Sequence, residues 1–281
     1  MVSTLVGEDT VALPPAGARR QAATSQSVSL DSGSLRQPPV AALAPDRILH
    51  LLSQGDIQVE GLIPWSSNAT LLVTVRGDEV LTLAVYKPQR GERPLWDFAH
   101  GTLGKREVAS YLVCEALGWG LVPPTVLREG PYGLGSVQFF IHAQEDAHFF
   151  TIQHDSAHAR DLMRLAAFDV VANNADRKSG HCLVAHDGQM WAIDNALTFH
   201  AEPKLRTVIW DFAGQPLPVS VTADVQTLQH SLAQDSPLTQ ALDRLLSDHE
   251  LAALHRRLRE MIRVGHYPRP GPGRPVPWPL I

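Results

Sequence analysis

Two short clusters hold most of the residues able to do chemistry: Asn174-Ala175-Asp176-Arg177-Lys178-Ser179-Gly180-His181 and Ile193-Asp194-Asn195. Between them run Cys182-Leu183-Val184-Ala185, then His186-Asp187-Gly188, then Gln189-Met190-Trp191-Ala192. Two apolar runs around Asp-Gly predict a hairpin, which returns the chain to its start and brings Asp194 close to Asp176 and His181. Two carboxylates gathered at the end of a buried hairpin need partners, and a metal ion with phosphate would supply them. A third basic position, Lys87, closes the apolar run Leu83-Ala84-Val85-Tyr86. By itself a lysine there is a solvent-facing strand end, and spacing does not separate the two readings.

The elements that must position these groups follow from periodicity. Residues 162–171 predict a helix with a wide apolar face, and polar loop chemistry begins at Asn173. Residues 57–63, 71–75 and 80–87 predict three strands, and 122–127 and 135–142 two more. Residues 45–53 predict a short helix stopped by Gly55, and 103–117 a longer one that ends at Gly118 and carries Glu107 and Glu115. Between residues 221 and 263 the pattern is helical, with leucines marking apolar faces on either side of Ser247. Loop 91–101 is long enough to be functional, although Arg90 and Arg93 are expected to be solvated. Residues 200–210 mix cations with apolar side chains, so they fit either acceptor binding or packing beneath the second lobe.

This layout resembles the catalytic core of the phosphatidylinositol 3- and 4-kinase-like superfamily, including its HipA-like relatives, over about residues 46–212. In that superfamily an Asn-x-Asp loop carries the catalytic aspartate, and a short hairpin leads to a metal-binding aspartate. Asn174-x-Asp176-Arg177 matches the loop and Ile193-Asp194 the metal position, whereas His181 stands where a metal-binding asparagine is usual. The resemblance implies an α+β, two-lobed protein-kinase-like fold: a small antiparallel β-rich N-lobe with one main helix, and an α-rich C-lobe. It implies ATP with Mg2+ or Mn2+ as cofactors. Asp176 would accept or orient the acceptor's proton, and Arg177 would orient the loop or stabilise developing charge. Asn174 would brace the loop, as short amide side chains do. Lys87, paired with Glu107, would neutralise the nonreacting phosphates. Ser67, Asn68 and Thr70 fall in the turn that would cover them, and backbone around Ile141 would meet adenine. Asp194 and His181 fall at the metal; imidazole suits manganese better than magnesium.

The acceptor is left open between a small molecule and a protein hydroxyl. The same fold also admits a noncatalytic nucleotide-binding pseudokinase or regulatory module, and nucleotidyl transfer.

The 281 residues, 44% of them hydrophobic, suffice for two lobes with sizeable cores. A formal charge of −5 gives no electrostatic case for nucleic acid or an anionic membrane. Cys114 and Cys182 lack metal-ligand spacing and read as buried thiols of a reducing compartment. No apolar run is long enough to span a membrane and no leader pattern opens the chain, so a cytoplasmic location is expected. The scattered histidines of 142–158 show no zinc spacing. Residues 1–44 read as a disordered tail, 45–142 as the N-lobe, 143–266 as the C-lobe, and 267–281 as a Pro-rich terminal extension that cannot be helical. Nothing in the sequence sets the oligomeric state.

Overall fold

The computed structural model describes residues 44–64, 68–77 and 80–281. The expected tail, apart from Ala44, and Ser67 of the phosphate-covering turn lie outside the described residues. The first helix, α1 (Pro45–Gln54), buries Ile48, Leu51 and Leu52 against a five-stranded antiparallel sheet. Its strands are β1 (Asp56–Leu62), β2 (Leu71–Arg76), β3 (Leu81–Pro88), β4 (Thr125–Gly130) and β5 (Gly133–Phe139), in the order β1-β2-β3-β5-β4. Between β3 and β4 lies α2 (Leu103–Ala116).

Alternation along β3 aims the site. Thr82, Ala84 and Tyr86 are fully buried, while Leu83, Val85 and Lys87 lie on the opposite, half-buried face. Lys87 pairs in register with Ser136 of β5, and Pro88 with Gly135. A Cβ at Gly135 would fall 2.5 Å from the Lys87 carbonyl oxygen, so glycine there lets β5 approach beside the lysine. β4 starts at Thr125, three residues later than its apolar run suggested. Pro123 and Pro124 have no N–H to give to a ladder.

The rest of the described chain is mainly helical. It contains a one-turn helix α3 (Phe149–Ile152), α4 (Ala159–Ala172), the hairpin β6 (Cys182–Val184) and β7 (Met190–Ala192), then α5 (Val219–Leu232), α6 (Pro237–Leu245) and α7 (Asp248–Val264). One large core joins these elements to the apolar face of α2, including Val113, Phe168, Leu228 and Leu254. The hairpin turns through His186-Asp187-Gly188: the Gly188 N–H reaches the Ala185 carbonyl, and glycine supplies the required φ of +88°. Helix α3 was not expected from the polar run around it. His148 and Thr151 cap it reciprocally, which stabilises a single turn. Among the described residues, no helix is long and apolar enough to cross a membrane.

Candidate functional site

Lys87 reaches two carboxylates brought from different elements. Its Nζ donates to Glu107 Oε1 of α2 at 2.5 Å and to Asp194 Oδ1, just beyond β7, at 3.0 Å. Burial works to lower the lysine pKa, but Asp194 and Glu107 outweigh it and hold the ammonium above its ordinary value. Glu107 is buried, and its second oxygen accepts from Ser136 Oγ at 2.9 Å. Asp194 adopts a left-handed backbone, φ 56°, and its side chain keeps 42% exposure. The Lys87 ammonium holds its carboxyl well below the usual range, against the effect of burial. An ionised, partly open carboxylate fits a metal ligand.

The loop after α4 supplies the second group. Burial pushes the Asp176 carboxyl up to about 6, against the pull of Lys178, and Asp194 adds to the rise. Lys178 Nζ lies 3.2 Å from Asp176 Oδ2. A carboxyl near pH 6 suits a proton acceptor working at neutral pH. The backbone around it is fixed from within: Asn174 Oδ1 accepts the Asp176 N–H at 2.9 Å, and Asn174 Nδ2 donates to Asp169 Oδ1 at 3.1 Å. Asn174 thus links the backbone of Asp176 to α4.

Arg177 is fully buried. Its guanidinium donates to Asp169 of α4, to the Ile193 carbonyl at 2.9 Å and to Asn195 Oδ1 at 2.6 Å. Of the two roles expected for it, orienting the loop fits this position; stabilising charge on a transferring group does not. It ties the loop of Asp176 to the end of the hairpin that presents Asp194. His181 lies beside that carboxylate, Nε2 being 3.3 Å from Asp194 Oδ2. Burial lowers its imidazole to about 4 despite Asp194, so the ring is neutral at pH 7 and can act as a metal ligand.

Lys87, His181 and Asp194 border a cavity of about 430 Å3 that Thr70, Val85 and Ile141 also line; Asp176 is not among its lining residues. Asn68 and Thr70 also flank a small recess with Lys87, Glu107 and Asp194. Asn68 is already engaged in part, accepting the Arg93 N–H at 2.9 Å. A larger hollow, about 780 Å3, lies along α1 near Arg47 and Arg76, away from all of these residues. Among the described residues, no group of three or more His, Cys, Asp or Glu side chains is placed to hold a metal ion. Asp194 Oδ2 and His181 Nε2, 3.3 Å apart, offer two neighbouring donor atoms, and a cation held there would need further oxygen ligands, such as phosphate supplies.

Several residues that set this geometry have only weak signals in the sequence. Asp169, buried in an apolar helix, accepts from Arg177, Asn174 and Thr207. Glu92 caps the start of α2 by accepting the N–H groups of Gly101, Leu103 and Gly104. Arg106 on α2 donates to the Thr198 carbonyl at 2.6 Å and pairs with Glu250 of α7. Asp169 and Glu250 were detectable only as acids at helix positions, and Arg106 only as the neighbour of Glu107. Residues 200–210 pack in part: Thr207, Val208 and Ile209 are buried.

The sequence matches no protein-family model. Among solved structures, the Golgi casein kinase with Mn/ADP bound superposes with a TM-score of 0.50 and 15% identity, over 78% of this chain and 75% of that one. The proinflammatory kinase CtkA of Helicobacter pylori gives 0.48 and 13% over 76% and 95%. With its antiparallel sheet and helical second half, the chain has a protein-kinase-like fold. Protein Rv2133c of Mycobacterium tuberculosis (strain ATCC 25618 / H37Rv) is 38% identical over 264 residues, which cover 82% of this chain and 94% of that protein. At that likeness and coverage, the chain belongs to the family of protein Rv2133c.

Proposed function

We propose that the chain is an ATP- and divalent-metal-dependent phosphotransferase of the phosphatidylinositol 3-/4-kinase-like type. The observation that carries this reading is the meeting of Lys87, Glu107 and Asp194 at one end of a cavity that His181 also lines. Metal-bound ATP supplies the transferable phosphoryl group and offsets the charge spread over its oxygens. Lys87 gives its ammonium to the nonreacting phosphates, and Glu107 keeps it aimed. Asp194 and His181 hold the cation. Asp176, titrating near 6, takes the proton of the acceptor hydroxyl, and Lys178 stabilises its charged form. Val85 and Ile141 offer an apolar wall to the base. Asn174 and Arg177 act through the loop they hold.

Calorimetric titration of ATP with Mg2+ and then Mn2+, on the wild type and on Asp194→Asn, tests the reading. Binding that needs the cation and is lost in the variant is expected, with Mn2+ preferred; His181→Asn should move the preference toward Mg2+. Metal-dependent binding unchanged by Asp194→Asn would overturn the assignment. Tight binding with no transfer to any acceptor would instead favour a noncatalytic nucleotide-binding module. Release of pyrophosphate rather than ADP would mark nucleotidyl transfer.

A further inference from the structure

The last fourteen residues, Pro268-Arg-Pro-Gly-Pro-Gly-Arg-Pro-Val-Pro-Trp-Pro-Leu-Ile281, contain no serine, threonine or tyrosine. Their prolines exclude helix and remove N–H donors, leaving a backbone that chiefly offers carbonyls. The structure lays this backbone against Ser179 and against residues 207–210. The Pro275 carbonyl accepts from the Thr207 N–H at 3.1 Å and from Trp210 Nε1–H at 3.1 Å. Five residues on, the Leu280 carbonyl accepts from the Ser179 N–H at 2.7 Å. Pro277, between these anchors, is buried. A Cβ placed on Gly180 would lie 3.8 Å from Ile281 Cγ2, and Gly180 lines the cavity that holds Lys87 and Asp194.

Two of the donors adjoin the loop that carries Asp176. Ser179 stands three residues after Asp176, and Thr207 bridges Arg177 in parallel while its hydroxyl donates to Asp169 at 3.0 Å. The segment bends at Val276, Trp278 and Pro279, and its carbonyls meet the donors at two separate points of one chain. Backbone donors met in this way suit another backbone.

We infer that the face formed by Ser179, Thr207 and Trp210 is a docking surface for a polypeptide, that the acceptor is a peptide hydroxyl, and that residues 275–281 occupy that surface as a stand-in lacking one. The acceptor's chemistry rests on the phosphotransferase reading; the docking of residues 275–281 does not. In the transfer, the peptide oxygen forms a bond to the γ-phosphorus as the bond to the departing ADP oxygen breaks, and the peptide's proton passes to Asp176. With no hydroxyl in residues 268–281, the docked segment blocks this step without undergoing it.

Two measurements on the full chain test the inference. Hydrogen exchange at the Ser179 and Thr207 amides should quicken about tenfold or more when Pro277→Asp places a charge at the buried proline, and also in a chain ending at Arg274. Unchanged exchange in both variants would overturn the docking. Single replacements Val276→Ser, Trp278→Ser and Leu280→Ser, incubated with ATP and Mn2+ or Mg2+, should yield at least one chain phosphorylated on the new serine, and not when Asp176→Asn is added. Protected amides with no serine modified, in a chain that binds ATP, would overturn the peptide acceptor. Protected amides in a chain that binds no ATP would sink the phosphotransferase reading and the peptide acceptor with it.

Discussion

Replacing Asp176 by asparagine should stabilise the protein while ending the proposed phosphoryl transfer, and the size of the gain depends on pH in a calculable way. The carboxyl is displaced from an ordinary 3.8 to about 6, burial outweighing Lys178. Between those values the folded chain holds a proton that the unfolded chain has released. Stability therefore falls as pH rises, by about 1.4 kcal/mol per unit. The interval from 3.8 to about 6 sets the loss at roughly 3 kcal/mol, present in full above pH 7 and absent below pH 4. The side chain is 24% exposed, so about 2–3 kcal/mol is a fair expectation. Asparagine has the same shape and no charge to bury. It can still donate to surrounding acceptors, though not pair with Lys178 as an anion.

The assay is urea unfolding of the wild type and Asp176→Asn at intervals from pH 4 to pH 8. Other titrating groups are common to both chains and cancel in the difference. That difference should grow by about 2–3 kcal/mol in favour of the variant between pH 4 and pH 7, then level off. Stabilities that run parallel across the range would show Asp176 ionising as an ordinary carboxylate. The argument for a poised proton acceptor would then fail, whatever the variant did to turnover. A gain confined to high pH is the mark of a group kept for function at a cost in stability.

Two further substitutions probe the scaffold. Arg177→Met leaves Asp169 buried without its cation and should cost about 3–5 kcal/mol in urea unfolding, with part of the loss recovered by adding Asp169→Asn; a loss under about 1 kcal/mol would contradict the pairing. Arg106→Met removes the link between α2 and α7 without touching the cavity. Because Glu107 rides on α2, affinity for metal-bound ATP should fall about tenfold by calorimetry, and Glu250→Gln should fall in the same direction; unchanged affinity in both would separate α2 from the site.

What the sequence made legible is what depends on local pattern. Period-two alternation located β3 and β5, the Asp-Gly turn located the hairpin, and that hairpin required Asp194 to return toward Asp176. The Lys87–Glu107 pairing came from the kinase-like resemblance, since an exposed helix glutamate has the same spacing. The fate of residues 267–281 was not legible. Proline content excludes a helix, but no periodic face announces that the segment will dock, because its contacts are single carbonyls rather than an apolar stripe. Arg177 was ambiguous for a related reason. Beside a candidate catalytic aspartate, an arginine reads equally as a phosphate contact or a brace, and only burial separates them.

The residues that escaped pattern share a physical property with consequences for how the site assembles. Asp169, Arg177, Asn195, Arg106 and Thr198 are all buried, and each has a link that crosses the sequence: Asp169 to Thr207, Arg177 to Asn195 and Arg106 to Thr198. Arg106 and Ser110 anchor α2 to residues 195–198, immediately after Asp194, and Arg106 alone reaches α7. Arg177 anchors the Asp176 loop to the same short stretch through Ile193 and Asn195. Residues 193–198 are thus held from two sides, by the helix that carries Glu107 and by the loop that carries Asp176. Desolvated polar links of this kind are costly when half made. Lys87 consequently meets both of its carboxylates only when the sheet, α2 and the helical half are packed together, and the site is a property of the assembled fold rather than of either half.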